Sequence, residues 1–343
     1  MKISINTKIK NGPWGGGNLF LINLEKFLKD EGHQVIYNLK DNDIDIILLF
    51  DPRNSSEMIS YSVQDIANYI FYKNPNTKVI HRINECDERK NTKGLNKFFI
   101  SANKVADQTI FVSRWLEDLY LQQGLKSIDY KTILSGSDKT IFNQEGKQPH
   151  TNGDNIKIVT HHWGADWNKG FEVYAELDRL IAQEKFTNLE FTYIGNLPKN
   201  FKFQNTKYLT PLSGKNLADE LRKHHLYLTA SANEPSGNHH IEGGLCGLPV
   251  LYLESGGVTE YAKNFGLGFH ISNFEEKLLE ITDNLSSYEE LMKNYPFEST
   301  RMCEEYLNSM FELMTKKREN YNYKNLKSKK FKYLLVKFFK SEI

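Results

Sequence analysis

Two glutamates, Glu234 and Glu242, stand eight residues apart in the stretch SANEPSGNHHIEGGLCGLPVLY, which runs on into LESGG. Between them lie a Pro-Ser-Gly turn, an Asn-His-His and the start of a helix. A carboxylate accepts hydrogen bonds and offers none, so it suits a pair of sugar hydroxyls. The first backbone N–H groups of a helix have no internal partners and sit at the positive end of its dipole, which suits a phosphate. The stretch therefore holds parts for both halves of a nucleotide sugar: amides for a diphosphate, glutamates for hydroxyls. Either glutamate alone reads more readily as a solvated surface charge. The whole arrangement, with Ser-Gly-Gly following the next strand, does not.

The elements that would position these groups are legible nearby. A strand, Leu226 to Thr229, leads into the loop that carries Glu234. Ser236 is placed to cap a helix from Asn238 to Cys246, with Gly247 as its stop and Pro249 shortly beyond. Over the rest of the chain, short β-rich runs alternate with helical patterns. Strands are expected at Ile3 to Asn6, Val35 to Tyr37, Ile44 to Phe50, Lys78 to Ile80 and Thr109 to Val112. After the polar, aperiodic stretch NQEGKQPHTNGDN (143 to 155), read as a linker, they resume at Lys157 to Thr160, Leu189 to Ile194, Leu226 to Thr229 and Pro249 to Leu253. Such alternation predicts parallel sheets with helices on both faces. The expected organisation is α/β: a Rossmann-like domain over 1–148, a second over 149–299, a terminal helix over 300–318 and a tail over 319–343. In open sheets of this kind ligands gather at the carboxyl ends of the strands, so two facing domains would offer one cleft.

The chain has 343 residues and a formal net charge of +1. From Lys316 to Ile343 there are ten Lys and Arg against two Glu, which gives that segment +8 and leaves −7 for the rest. An acidic body argues against a nucleic-acid partner. In the tail, Leu334, Leu335, Phe338 and Phe339 can share one helical face edged by lysines, so residues 324–343 could lie on an anionic membrane surface or pack back on the body. Three scattered cysteines, Cys86, Cys246 and Cys303, form neither a disulfide framework nor a zinc ribbon. The expected location is cytoplasmic, with the tail able to hold the chain at the inner face of a membrane.

Other motifs are more ambiguous. NGPWGGGN (11 to 18) is not a P-loop, because Asn18 and Leu19 replace the Lys and Ser/Thr that would bind phosphate and magnesium. What remains at Gly15, Gly16 and Gly17 is backbone able to approach a ligand closely at a helix start. HRINECDERK (81 to 90) follows a strand and offers Asn84 and Asp87 as groups that could meet a sugar. Metal readings fail on spacing: His239-His240-x-Glu242 is not H-E-x-x-H, and Cys246 stands alone. No metal and no cofactor is expected.

E-x7-E, followed by G-L-P-V and then Gly256-Gly257-x-x-Glu260, resembles the signature of glycosyltransferase family 4, retaining and metal-independent enzymes of the two-domain GT-B fold. KIVTHHWGADWNKGF, ADQTIFVSRWLED and KTILSGSDKTIF are similar to further family segments, as is the N-terminal strand with its glycine loop. The resemblance implies a GT-B fold, with a terminal helix crossing back to the first domain, and sugar transfer from a nucleotide-diphosphate sugar to a sugar, lipid-linked or other hydroxyl acceptor. It implies that Glu242 holds the ribose hydroxyls, that Glu234 hydrogen-bonds the transferred sugar, and that the backbone of Gly237, Asn238 and His239 lies near the diphosphate. Lys169 would neutralise the leaving diphosphate, and His81 would position the acceptor and donor sugar without acting as a base. The glycine loop would face the diphosphate and acceptor.

The sequence departs from the pattern at Gly164, where the family usually carries an Arg. His162 is the favoured substitute; Arg82 is the other cation considered. The loop from Tyr208 to Pro211 is the candidate for base contacts. A nucleotide-sugar 2-epimerase of the same fold and a non-catalytic nucleotide-sugar-binding module are the competing readings.

Overall fold

Alternation of strand and helix in the sequence becomes two six-stranded parallel sheets in the computed structural model, which describes residues 1–10, 12, 15–54, 56–127, 129–151 and 153–316. The tail assigned to 319–343 and the last two residues of the expected terminal helix lie outside the described residues. Among the described residues no helix is long and apolar enough to cross a membrane.

The first sheet contains β1 (Lys2–Ile5), β2 (Gln34–Ile36), β3 (Ile46–Leu49), β4 (Lys78–Ile83), β5 (Gln108–Phe111) and β6 (Tyr130–Thr132) in the order β2-β1-β3-β4-β5-β6. The second contains β7 (Ile156–His162), β8 (Leu189–Gly195), β9 (Lys207–Leu209), β10 (Leu226–Thr229), β11 (Val250–Leu253) and β12 (Gly266–Phe269) in the order β12-β11-β10-β7-β8-β9. Each sheet belongs to its own compact unit. Of the described residues, those within 1–12, 21–133 and 302–316 make the first; those within 15–20 and 134–301 make the second. The division falls before the polar stretch 143–155, because residues from Leu134 onward already pack with the second sheet: Ser135 N donates to the Tyr261 hydroxyl at 2.9 Å, and Phe142 is in that core.

Central strands are buried on both faces, as a parallel sheet covered by helices requires. Alternation along β7 and β10 separates two apolar layers. Ile158 and Leu228 point to one, with Phe171, Tyr174 and Leu177 of the helix Phe171–Leu180. Val159 and Tyr227 point to the other, with Ile241 and Leu245 of the helix Asn238–Leu245. This parity decides where the polar residues at the strand ends are sent.

The helix Ser299–Thr315 returns to the first unit, where Ser309 Oγ donates to Gln108 Oε1 at 2.6 Å and Lys131 pairs with Glu312 at 2.5 Å. Near its start, two chain segments run side by side. Ser137 N donates to Phe297 O at 3.1 Å and Ser299 N to Ser137 O at 2.8 Å. A Cβ on Gly136 would lie 2.2 Å from the Glu298 carbonyl oxygen. That contact is with backbone, which cannot rotate away. Gly136→Ala is therefore expected to destabilise the protein by about 1–3 kcal/mol, read as a lowered midpoint in thermal unfolding; an unchanged midpoint would mean that the two segments are not held together in solution.

Candidate functional site

The end of β7 sends two adjacent histidines to opposite faces of the sheet. His161 turns toward the helix Asn238–Leu245, its Nδ1 3.0 Å from the Tyr227 hydroxyl and its Nε2 2.9 Å from Glu242 Oε2. Glu242 is buried, and its other oxygen accepts a long contact of 3.4 Å from Ser137 Oγ. His162 turns to the other layer, with Nε2 2.6 Å from the Tyr174 hydroxyl. That hydroxyl also accepts from Ala230 N at 3.2 Å, which ties the end of β7 to the end of β10.

Beyond β7, Trp167–Lys169 form one tight 3-10 turn. It ends at Gly170, with φ of 99°. A Cβ there would lie 2.5 Å from the Ala230 Cβ, so only glycine lets this turn sit on the strand-end loop. The loop is sewn to the turn by Ala232 N donating to Asn168 O at 2.8 Å. On its far side it is held by Asn233 N donating to Ser255 Oγ and Gly257 N donating to Glu234 O, both at 2.9 Å. Gly256, at φ of 67°, lies so close that a Cβ would meet Glu234 O at 2.5 Å. The Gly-Gly of the sequence motif is thus a bed for the Glu234 backbone. The result is an ion pair, Lys169 Nζ to Glu234 Oε2 at 2.5 Å, with the side chains 14% and 8% exposed.

Around this pair stand four histidines. The His239 ring is 4.5 Å from His162, 5.2 Å from His240 and 6.3 Å from His161, centroid to centroid. Its Nε2 is 2.9 Å from Thr229 Oγ1. Burial, reinforced by the Lys169 ammonium, holds the His162 imidazole well below the ordinary histidine range. Burial and then the neighbouring His162, His240 and Lys169 do the same for His239. His162 is therefore neutral and satisfied by Tyr174; it does not supply the cation expected of it. The helix Asn238–Leu245 begins at Gly237, not at the expected cap Ser236, and Gly237 has no side chain to cap its first amides. Gly15, Gly16 and Gly17 open the helix Gly16–Asp30. Gly16, grouped with the second unit, packs so near Asn238 that a Cβ would be 3.0 Å from its Cγ.

In the first unit the expectations need correction. β4 extends to Ile83, so His81 and Arg82 are strand residues and not loop residues. His81 has no exposed surface. Its Nδ1 lies 2.8 Å from Asn103 Oδ1, its ring stacks on Phe99, and burial pushes its pKa down to about 4. A ring so enclosed is not placed to position an acceptor. Arg82 is also buried, its guanidinium carbon 5.3 Å over the Phe50 ring. Asp87 accepts from the Gly94, Leu95 and Asn96 amides and from Thr92 Oγ1. Burial opposes these bonds, yet together they hold its carboxyl below the usual range. It anchors the start of the helix Leu95–Ala102 and is not offered to a ligand. Asn84 lies half-buried in the loop after β4. Tyr208, the base-contact candidate, sits exposed on the edge strand β9.

Tyr174, Tyr227, Thr229 and Ser137 join the site without a motif to announce them. Strand parity was the available signal for Tyr227 and Thr229; nothing local marks Tyr174 or Ser137. Among the described residues, no group of three or more His, Cys, Asp and Glu could hold a metal ion.

No known family model matches this chain, and no curated protein resembles it in sequence. Solved structures do resemble it in fold. Sucrose-phosphate synthase from Thermosynechococcus elongatus superposes with a TM-score of 0.65 at 13% identity, covering 92% of this chain and 99% of that one. HepE from Anabaena, in complex with UDP-glucose, gives 0.63 at 14% identity over 91% of this chain and 100% of that one. The catalytic domain of starch synthase IV from Arabidopsis thaliana, bound to ADP and acarbose, gives 0.66 at 11% identity, covering 92% and 99%. The chain thus has the two-domain GT-B fold of these enzymes.

Six histidines are held neutral by burial: His81, His224, His225 and His240 near 4, His162 and His239 well below their ordinary value. Each has a folded pKa below its unfolded one, so each leaves stability intact above the unfolded pKa of about 6.5 and removes it below, at about 1.4 kcal/mol per pH unit. Thermal unfolding should be level near pH 7–8 and should fall steeply once the pH drops below about 6. A flat midpoint down to about pH 5 would contradict the buried placement of these rings.

Proposed function

We propose that this protein transfers a sugar from a nucleotide-diphosphate sugar to an acceptor hydroxyl, with retention at the anomeric carbon. In this reading Lys169, and not a metal ion, meets the charge on the leaving diphosphate. The observation that carries it is the Lys169–Glu234 ion pair, 2.5 Å long and built at adjoining strand ends, with buried Glu242 oriented by His161. The shared fold with enzymes solved around UDP-glucose and ADP supports it.

Donor binding exchanges partners. The Lys169 ammonium moves from Glu234 to a phosphate oxygen, as a compact point charge can, and Glu234 turns its freed oxygen to hydroxyls of the sugar. Glu242 accepts from the two ribose hydroxyls. The bond from the anomeric carbon to the diphosphate oxygen then breaks, and charge that develops on the phosphate is stabilised by Lys169. The acceptor oxygen bonds the same face of the carbon and passes its proton to the departing phosphate, so no strong protein base is required. His81, Asp87 and Arg82 have no part in these steps. The reading extends to membership of glycosyltransferase family 4, a hydroxyl acceptor on a glycan or glycolipid, and a cytoplasmic location at an anionic membrane surface.

The test is a panel of uridine, adenosine, guanosine and thymidine diphosphate sugars, in excess chelator, followed by donor hydrolysis and by transfer to acceptor extracts. Wild-type protein should turn over at least one donor. Lys169→Ala and Glu234→Ala should lower kcat by about 10²–10³-fold, and Glu242→Ala should mainly raise KM. Failure to bind or turn over any donor would reject the reading. Tight binding without transfer would favour a non-catalytic binding module, and a donor sugar inverted at its second carbon would favour an epimerase.

A further inference from the structure

Among the described residues, Lys169 is the cation that the buried ion pair brings to this site. Lys169 already faces Glu234, and position 164, five residues before it, is glycine. What surrounds the pair is imidazole. We infer that His239 becomes the second cation of this site by taking up a proton from solvent when the donor binds. The inference rests on the functional reading above.

The geometry singles out His239 among the four histidines. His161 has both ring nitrogens engaged, by Glu242 and Tyr227. His162 is 3% exposed and bound to Tyr174; His240 is fully buried with Nε2 on the Ser236 carbonyl. His239 alone is half-buried. It occupies the second position of the helix Asn238–Leu245, and its Cε1 edge lies against Gly237, 2.8 Å from where a Cβ would be. Protonated, the ring donates from both nitrogens: Nε2 to Thr229 Oγ1, and Nδ1 to the ligand.

The charges around it explain why the proton arrives only with the anion. His161 and His162 face the ring from β7, Lys169 from the turn after it, and His240 from its own helix, while Tyr227 and Thr229 flank it from β10. The carboxylate beside it, Glu234 on the loop after β10, packs against the same Gly237 and is paired with Lys169. Burial and these positive or potentially positive neighbours keep the empty ring neutral. A diphosphate reverses the sign of the local field and raises the bound-state pKa above the free one. Affinity then rises as the pH falls through the bound-state pKa and levels off below the free one.

The experiment is titration calorimetry with UDP-glucose, ADP-glucose and GDP-mannose, whose esterified phosphates keep a constant charge over the range used. Runs in buffers of different ionisation enthalpy count the protons taken up, and runs at about pH 6 and pH 8 give the affinity change. The full-length protein should take up a proton on binding, and should bind about tenfold tighter at the lower pH. His239→Gln should bind weakly at both, without uptake. His239→Arg should bind without pH dependence. Gly164→Arg, where a Cβ meets Lys169 Cε at an ordinary 3.5 Å, should also bind without pH dependence. Ligand-free thermal unfolding of each variant shows whether it remains folded. Donor binding with no proton uptake would overturn this inference while leaving the functional reading intact. Uptake that persists in folded His239→Gln would overturn the assignment to His239. No binding of any nucleotide sugar would reject both.

Discussion

Everything at this site depends on an ion pair that is unfavourable to build. Lys169 and Glu234 are almost wholly withdrawn from water, and desolvating two such ions costs several kcal/mol before their attraction returns anything. An apolar pair of the same volume would stabilise the fold at least as well. In the proposed function the pair is a resting state: a ligand with an anionic end and a hydroxyl end would replace both partners at once, exchanging one set of charge contacts for another and stranding neither ion.

The scaffold that holds the pair is mostly backbone and tyrosine. Gly170 and Gly256 let three segments approach within distances that no side chain would allow. Tyr174 and Tyr227 stand on opposite faces of the second sheet and fix His162 and His161 with their hydroxyls. Each presents an apolar ring to one hydrophobic layer and its polar tip to a strand end. Polar groups are therefore satisfied just where the sheet stops, without a polar residue intruding into the core.

Much of this was legible in the sequence. The central strands are short apolar runs between helical patterns, and they were placed to within a few residues. Residue type and spacing single out the Glu234–Glu242 interval, while Lys169 is singled out only through the family resemblance. Strands β6, β9 and β12 were missed because they are three or four residues long and half-exposed, so neither length nor hydrophobicity marks them. His81 and Arg82 were read as a loop because ionisable residues ordinarily end a strand; here Asn103, Phe99 and Phe50 accommodate them inside. Asp87 looked available because its four donors come from residues 92 to 96, a local capping arrangement that a reading for sugar-binding groups passes over. His162 is neutral because burial and the Lys169 ammonium disfavour its charged form, and its partner Tyr174 lies twelve residues away, so no local pattern encodes its state.

The terminal helix carries an implication for how the molecule is made. The first unit takes its early residues from 1–133 and its last described layer from residues 302–316. During synthesis its six strands leave the ribosome first, yet the surface that Ser299–Thr315 will cover stays bare until the whole of the second unit has been translated. The later-made half can finish folding before the earlier one. For that interval the surface that will bury Met302, Tyr306, Met310 and Leu313 stays uncovered, open to chaperones or to other copies of the chain.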